Sequence, residues 1–331
     1  GTITGEIDIP AVQYLSINNG GDRILAFSST PDTVDPPCTS LDPCSLFVVT
    51  PSNLGTSNPV VVPIPSVVSG NTDSLDHPVQ AFFSSDDTTA YVVNCGAECG
   101  GTQASVQTLD MTTTPPTPGT SPVSCTSGRC LGLMNVAAGS EALVNGSTMY
   151  LAGTPYSAPP NSSPSFTCEG AAGETLNCGT LSIVNLSNLA VTASGIAITD
   201  GYHNRIAMGA NGQLFIGATT CTEISNATET RGCLSIYNTL TTANGSVPAG
   251  GVVIPPVNGD VTGIQPIATR NVVYLVQGYP TPGGSLYIYC TTVDDGASCY
   301  TADALQTAPE NEPTYAPLMT GNFYGVVTVD F

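Results

Sequence analysis

The chain has 331 residues, of which 41% are hydrophobic and only 9% charged. It sets 25 Asp plus Glu against five basic residues, all Arg (Arg23, Arg129, Arg205, Arg231, Arg270), for a net charge of −20. That charge repels phosphate and argues against nucleic acid or anionic membrane as partners, while attracting divalent cations and basic surfaces.

No apolar run approaches the ~18 residues of a spanning helix, so no membrane insertion is expected. The first residues, GTITGEIDIP, have neither the basic start nor the apolar stretch of a signal peptide, and Gly1 is read as the start of a processed chain. In chain order, TITGEIDIP (2–10) is a strand candidate ahead of a recurring pattern. The pattern is a short apolar strand, a polar turn, and a second apolar strand ending near Cys or Gly. Copies fall at 11–29, 77–95, 134–153, 202–221 and 263–278, with a less regular one at 315–331. Their turns, Asn18-Asn19-Gly20-Gly21, Asp86-Asp87, Asn145-Gly146 and Asn211-Gly212, are residues that tolerate positive φ in tight hairpins.

A third strand follows most copies: SLFVVTPS (45–52), SVQTLDM (105–111), TLSIVNL (180–186), CLSIYNT (233–239) and SLYIYCT (285–291). A looser fourth stretch comes next, as in VVVPIPSVV (60–68), GIAIT (195–199) and GVVIPPV (251–257). Pro63, Pro65, Pro255 and Pro256 sit in these fourth strands, which fits an outer edge where a missing N–H is tolerated. Helical periodicity is absent, and 27 Pro and 35 Gly would break any helix.

Four antiparallel strands repeating every roughly 50–75 residues predict an all-β fold: a β-propeller of about six four-stranded blades. It would form one domain over 1–331. A seventh, degenerate blade near 115–133 is the alternative count, and a β-sandwich or β-solenoid the alternative architecture. The last copy runs out after two strands, so strand 2–9 is expected to pair with the strand near 323–331 and close the ring.

Twelve Cys form six close pairs: Cys38 and Cys44, Cys95 and Cys99, Cys125 and Cys130, Cys168 and Cys178, Cys221 and Cys233, Cys290 and Cys299. An even count in tight pairs predicts sequential disulfides made in an oxidising compartment, and hence a secreted or cell-surface protein. CGAEC and CTSGRC resemble zinc knuckles, but zinc sites usually recruit two knuckles or His and need their thiolates kept reduced, so bridges are the expectation.

The second copy and its third strand, FFSSDDTTAYVVNCGAECGGTQASVQTLDM (82–111), carry a polar turn, an aliphatic-Tyr-Val-Val-Asn strand and an alternating strand ending in Asp. This resembles the YVTN-type β-propeller repeat, and QLFIGATTC and LSIYNT resemble it more loosely. The resemblance implies a propeller in a bacterial or archaeal extracellular setting. It implies no activity, because such propellers include surface proteins, binding modules and a few enzymes.

Both histidines precede inner strands, with carboxylates nearby. Asp73, Asp76, His77, Asp200, His203 and Asp260 are therefore the candidate channel-face site, either as acid/base or metal groups or as turn-satisfying side chains. Asp32, Asp35 and Asp42, and Asp294 with Asp295, offer hard oxygens for Ca²⁺, although no D-x-D-x-D-G loop is present. There is no G-x-S-x-G, H-E-x-x-H or P-loop, and every Cys is assigned to a bridge. Asn145, Asn161, Asn185, Asn226 and Asn244 are glycosylation sequons, and the Thr/Pro runs 112–122 and 157–166 suit O-linked sugar.

The expectation is a non-enzymatic extracellular structural or surface protein, self-associating through its faces into a filament or coat, or binding glycans or surface polymers. The alternatives are a propeller hydrolase or lactonase with a divalent ion, and a carbohydrate- or protein-binding module.

Overall fold

The computed structural model describes residues 5–7, 9, 12–28, 45–53, 62–65, 75–99, 101–155, 167–169, 175–177, 179–199, 203–209, 212–218, 232–240, 251–253, 260–267, 272–278, 285–290 and 314–315. The chain divides into two compact units. Unit 1 is Gly1–Leu151, Pro155–Ser163 and Ser182–Gly195, and unit 2 is Ala152–Thr154, Pro164–Leu181 and Ile196–Phe331.

The first sheet of unit 1 contains β1 (Val12–Ile17), β2 (Ile24–Ser28), β3 (Ser45–Val49) and β4 (Val62–Pro65), each antiparallel to the next. Gly21 turns the first hairpin at φ +69°. Pro63 and Pro65 fall on β4, which among the described residues is an outer strand of its sheet, where a missing N–H is tolerated.

The second sheet is built on β5 (Pro78–Phe83), β6 (Thr89–Asn94) and β7 (Ser105–Asp110). Beyond it come β8 (Thr117–Pro118), a separate hairpin of β9 (Ser124–Thr126) and β10 (Arg129–Leu131), and β11 (Leu133–Asn135). Both β8 and β11 pair with β7. Segment 115–133 is therefore the outer edge of the second sheet plus a two-stranded hairpin, not a four-stranded sheet of its own. The same pairing corrects the repeat boundary at 134–153, because Met134 belongs to the second sheet and the third begins at Glu141.

The third sheet orders β12 (Glu141–Asn145), β13 (Thr148–Gly153), β16 (Gly179–Asn185) and β17 (Ala190–Ile198). A small hairpin of β14 (Thr167–Glu169) and β15 (Thr175–Asn177) is inserted before β16.

Unit 2 holds two further sheets: β18 (His203–Met208), β19 (Gln213–Ala218), β20 (Cys233–Asn238) and β21 (Gly251–Val253), then β22 (Asp260–Ile267), β23 (Val272–Gly278), β24 (Ser285–Cys290) and β25 (Thr314–Tyr315). Tyr315 lies opposite Tyr287 as the fourth strand of this last sheet, rather than opening a new inner strand. The rest of the sixth copy, and the expected pairing of 2–9 with 323–331, lie outside the described residues.

The core follows from the two-residue period of a strand whose two faces are both covered. In β6, Ala90 and Val92 join Leu25, Phe27, Leu46 and Val48 of the first sheet, and Val93 on the opposite face joins Met149, Leu151 and Val184. Unit 2 repeats the arrangement, with Phe215, Leu234 and Ile236 against Val261, Val273 and Leu275. Each side chain of this size contributes about 1.5–3 kcal/mol on full burial.

Polar groups tie neighbouring sheets together. Ser16 Oγ of β1 donates to Ala81 O at 2.8 Å, and Ala142 N donates to Gln80 Oε1 at 2.9 Å. At the hairpin turns, the Asp87 carboxylate accepts from the backbone N–H groups of Asn19 and Gly20 and from the Asn18 and Asn19 side chains. Asp87 holds φ +56°, as the turn reading of Asp86-Asp87 requires.

Candidate functional site

The candidate residues Asp76 and His77 lead into β5. Their backbone carbonyls accept from Gly96 N and Cys95 N, so the approach to one strand is sewn to the exit of the next. The Cys95–Cys99 bridge closes that exit into a compact loop. His77 Nδ1 donates to Asp76 Oδ1 at 2.9 Å. The other oxygen, Oδ2, accepts from Thr102 N at 2.8 Å, Thr102 Oγ1 at 2.7 Å and Gln103 N at 2.9 Å. Burial works to raise the Asp76 pKa, but these bonds, led by that from His77, hold it at about 2. Gly101 makes the approach possible, since a Cβ there would fall 1.8 Å from Asp76 Oδ1. Asp76 and His77 are thus hydrogen-bonded to each other, and the carboxylate organises the loop at Thr102 and Gln103.

His203 opens β18 and is enclosed, at 3% exposure, rather than presented in a loop. Its Nε2 donates to Thr199 O at 2.7 Å, while Nδ1 has no hydrogen-bond partner among the described residues. The backbone of Gly179 packs on the ring, and a Cβ there would come within 2.5 Å of Cε1. Burial drives the pKa down to about 4, with the bond to Thr199 acting in the opposite sense.

Asp260 is the first residue of β22, opposite Gly278. Asp73 and Asp200 lie outside the described residues, as do Asp32, Asp35, Asp42, Asp294 and Asp295. Among the described residues no group of three or more His, Cys, Asp or Glu could hold a metal ion.

Two of the expected bridges, Cys95–Cys99 and Cys125–Cys130, are formed. Cys233 is also disulfide-bonded. Cys168 and Cys290 lend backbone to β14 and β24, and Cys38, Cys44, Cys178, Cys221 and Cys299 lie outside the described residues. These bridges call for a non-reducing environment. No helix among the described residues is long and apolar enough to cross a membrane. Asn145 is exposed at the end of β12, and Asn185 Oδ1 accepts from Ser187 N at 2.9 Å. Asn161, Asn226 and Asn244 lie outside the described residues.

A second polar cluster in unit 1 escaped the sequence reading. Arg129, on the hairpin closed by Cys125–Cys130, donates through Nε to Thr89 Oγ1 at 2.8 Å and through Nη2 to Asp110 Oδ1 at 2.6 Å and to Thr88 O. This guanidinium bond is the main reason the Asp110 pKa sits at about 2. Arg129 also lines a cavity of about 340 Å³ with Asp86, Tyr91, Val144, Ser147 and Leu186. The Tyr91 pKa is raised, first by burial and then by the charge of Asp86, against the opposing pull of Arg129. One signal was available: Arg129 is among only five cations in the chain and lies inside a Cys loop.

No protein-family model and no curated protein matches this sequence. Among solved structures it is similar to the β-propeller domain of the Trilobed protease from Pyrococcus furiosus, at 10% identity and TM-score 0.39, covering 86% of this chain and 72% of that one. It is also similar to TolB from Acinetobacter baumannii, at 12% identity and TM-score 0.37, over 85% of this chain and 52% of that one. An acylaminoacyl peptidase matches at 9% identity and TM-score 0.38, over 86% of this chain and 40% of that one. This chain thus spans about half of TolB and less than half of the peptidase.

Proposed function

We propose that this chain is an extracellular β-propeller of about six blades, of the YVTN-repeat kind, and that it works by contact rather than by turnover. The observation that carries the reading is where the polar groups go. Asp87 grips the turn of the preceding sheet, Asp76 binds a neighbouring loop, Gln80 reaches the third sheet's inner strand, and Arg129 ties the β5–β6 turn to Asp110. A protein whose polar side chains are spent on locking turns, loops and neighbouring sheets offers rigid faces, and complementary faces are enough for a filament or coat. The net charge opposes such packing, so cations such as Ca²⁺, or sugar on Asn145 and Asn185, would assist it.

Electron microscopy and light scattering of native protein, with calcium or with chelator, test the reading. Oligomers or fibres that chelator weakens and that persist in His77→Ala support it, and a strict monomer under all conditions removes it. The competing reading is a hydrolase, favoured by one detail: the Asp76 carboxylate fixes the His77 imidazole through Nδ1, as an Asp orients a catalytic His. A hydrolytic or lactonase activity abolished by His77→Ala would establish that reading instead.

A further inference from the structure

We infer that the cavity beside Arg129 is a binding site for an uncharged saccharide. Its walls come from three places in unit 1: the β5–β6 turn with Tyr91, the Cys125–Cys130 hairpin, and the paired turns at Ser147 and Leu186. The last two turns are joined by Leu186 N donating to Ser147 O at 2.8 Å. The volume of about 340 Å³ suits one or two sugar rings.

The lining has the two properties a sugar needs. Phe83, Val144 and Leu186 supply an apolar surface for the C–H face of a ring. Around it stand groups with hydrogen-bonding capacity that the protein does not use. Among the described residues the Tyr91 hydroxyl has no hydrogen-bond partner. Asp86 accepts three bonds at Oδ1, from Ser84 Oγ, Thr88 N and Thr88 Oγ1, and none from a neighbouring described residue at Oδ2. Arg129 spends Nε and Nη2 on Thr88, Thr89 and Asp110, and among the described residues Nη1 has no partner. A phenol, a carboxylate and a guanidinium edge offer both donors and acceptors, as vicinal hydroxyls require.

Charge narrows the ligand class. Arg129 is already paired with Asp110, and Asp86 adds an uncompensated negative charge in a chain of net charge −20. Anionic sugars and phosphates are therefore repelled. The saccharide has two sources, a free or polymeric sugar from outside or the chain's own glycan, since the sequons Asn145 and Asn185 adjoin Ser147 and Leu186.

The test uses full-length protein from a host without N-glycosylation, so that the cavity holds no glycan of its own. Calorimetric titration uses methyl glycosides of glucose, galactose, mannose and N-acetylglucosamine, with glucuronic acid as the anionic control. At least one neutral glycoside should bind, and glucuronic acid should not. Tyr91→Phe should weaken binding about tenfold, the loss of one ligand hydrogen bond, with an unchanged melting temperature because that hydroxyl has no partner among the described residues. If the bare chain binds a glycoside and natively glycosylated chain does not, the resident glycan is the occupant. No binding of any neutral glycoside, or binding that Tyr91→Phe leaves intact, overturns the inference. The assembly state of the protein bears on neither result.

Discussion

Acidification from pH 7 to 4 should destabilise the natural chain more than a His203→Gln variant. The imidazole of His203 is enclosed and neutral, with a folded-state pKa of about 4 against an ordinary 6.5. Between those values the unfolded chain binds a proton that the folded chain refuses, so stability falls as pH drops. The full displacement amounts to about 3 kcal/mol, present above pH 6.5 and gone near pH 4. Glutamine keeps an amide donor for Thr199 O and does not titrate. At pH 7 the variant should therefore be less stable by about 1 kcal/mol, the scale of one altered hydrogen bond. Near pH 4 the order should reverse. Urea unfolding followed by circular dichroism at pH 7, 5.5 and 4 measures both curves, and every other titrating group cancels in the difference. Parallel curves would refute the argument, because they would mean that His203 accepts its proton in the folded state.

Asp76→Ala removes the acceptor for His77, Thr102 and Gln103, and should cost about 2 kcal/mol at pH 7 after allowance for solvent around this half-open site. Because the folded pKa is depressed to about 2, that contribution is present above about pH 4 and lost as pH falls through 2. Calorimetry should show the gap between variant and natural chain closing over that window, and a gap constant with pH would contradict it. Non-reducing peptide mapping should join Cys233 to Cys221 and recover the other sequential pairs, with no thiol alkylated in native protein; a long-range bridge would break the pattern. Deleting residues 1–9 should lower the melting temperature sharply if the N-terminal strand closes a ring, and an unchanged melt would count against closure.

The strands themselves were legible in the sequence. SVQTLDM and CLSIYNT became β7 and β20 almost residue for residue, because alternation and β-branched content are local properties that both faces of a buried strand enforce. The turns were equally local, and Asp87, Gly146 and Gly212 adopt the positive φ their residue types invite. The two described Cys bridges followed from short loops. Repeat boundaries were less secure. Leu133–Asn135 has an ordinary strand sequence, and only its pairing with β7 assigns it to the second sheet rather than the third.

The site shows the same division. That Asp76 and His77 meet could be read from adjacency, but that Thr102 and Gln103 complete the carboxylate's bonds depends on a loop folding back over 26 residues. His203 looked like a loop histidine, and burial against Gly179 made it a neutral core group. The Arg129 cluster joins residues 40 apart in sequence. Hydrogen-bond partners and desolvation are set by what surrounds a side chain, and those surroundings exist only once the sheets have stacked. Local periodicity determined the strands, while tertiary packing decided which polar groups are spent and which are left facing a cavity.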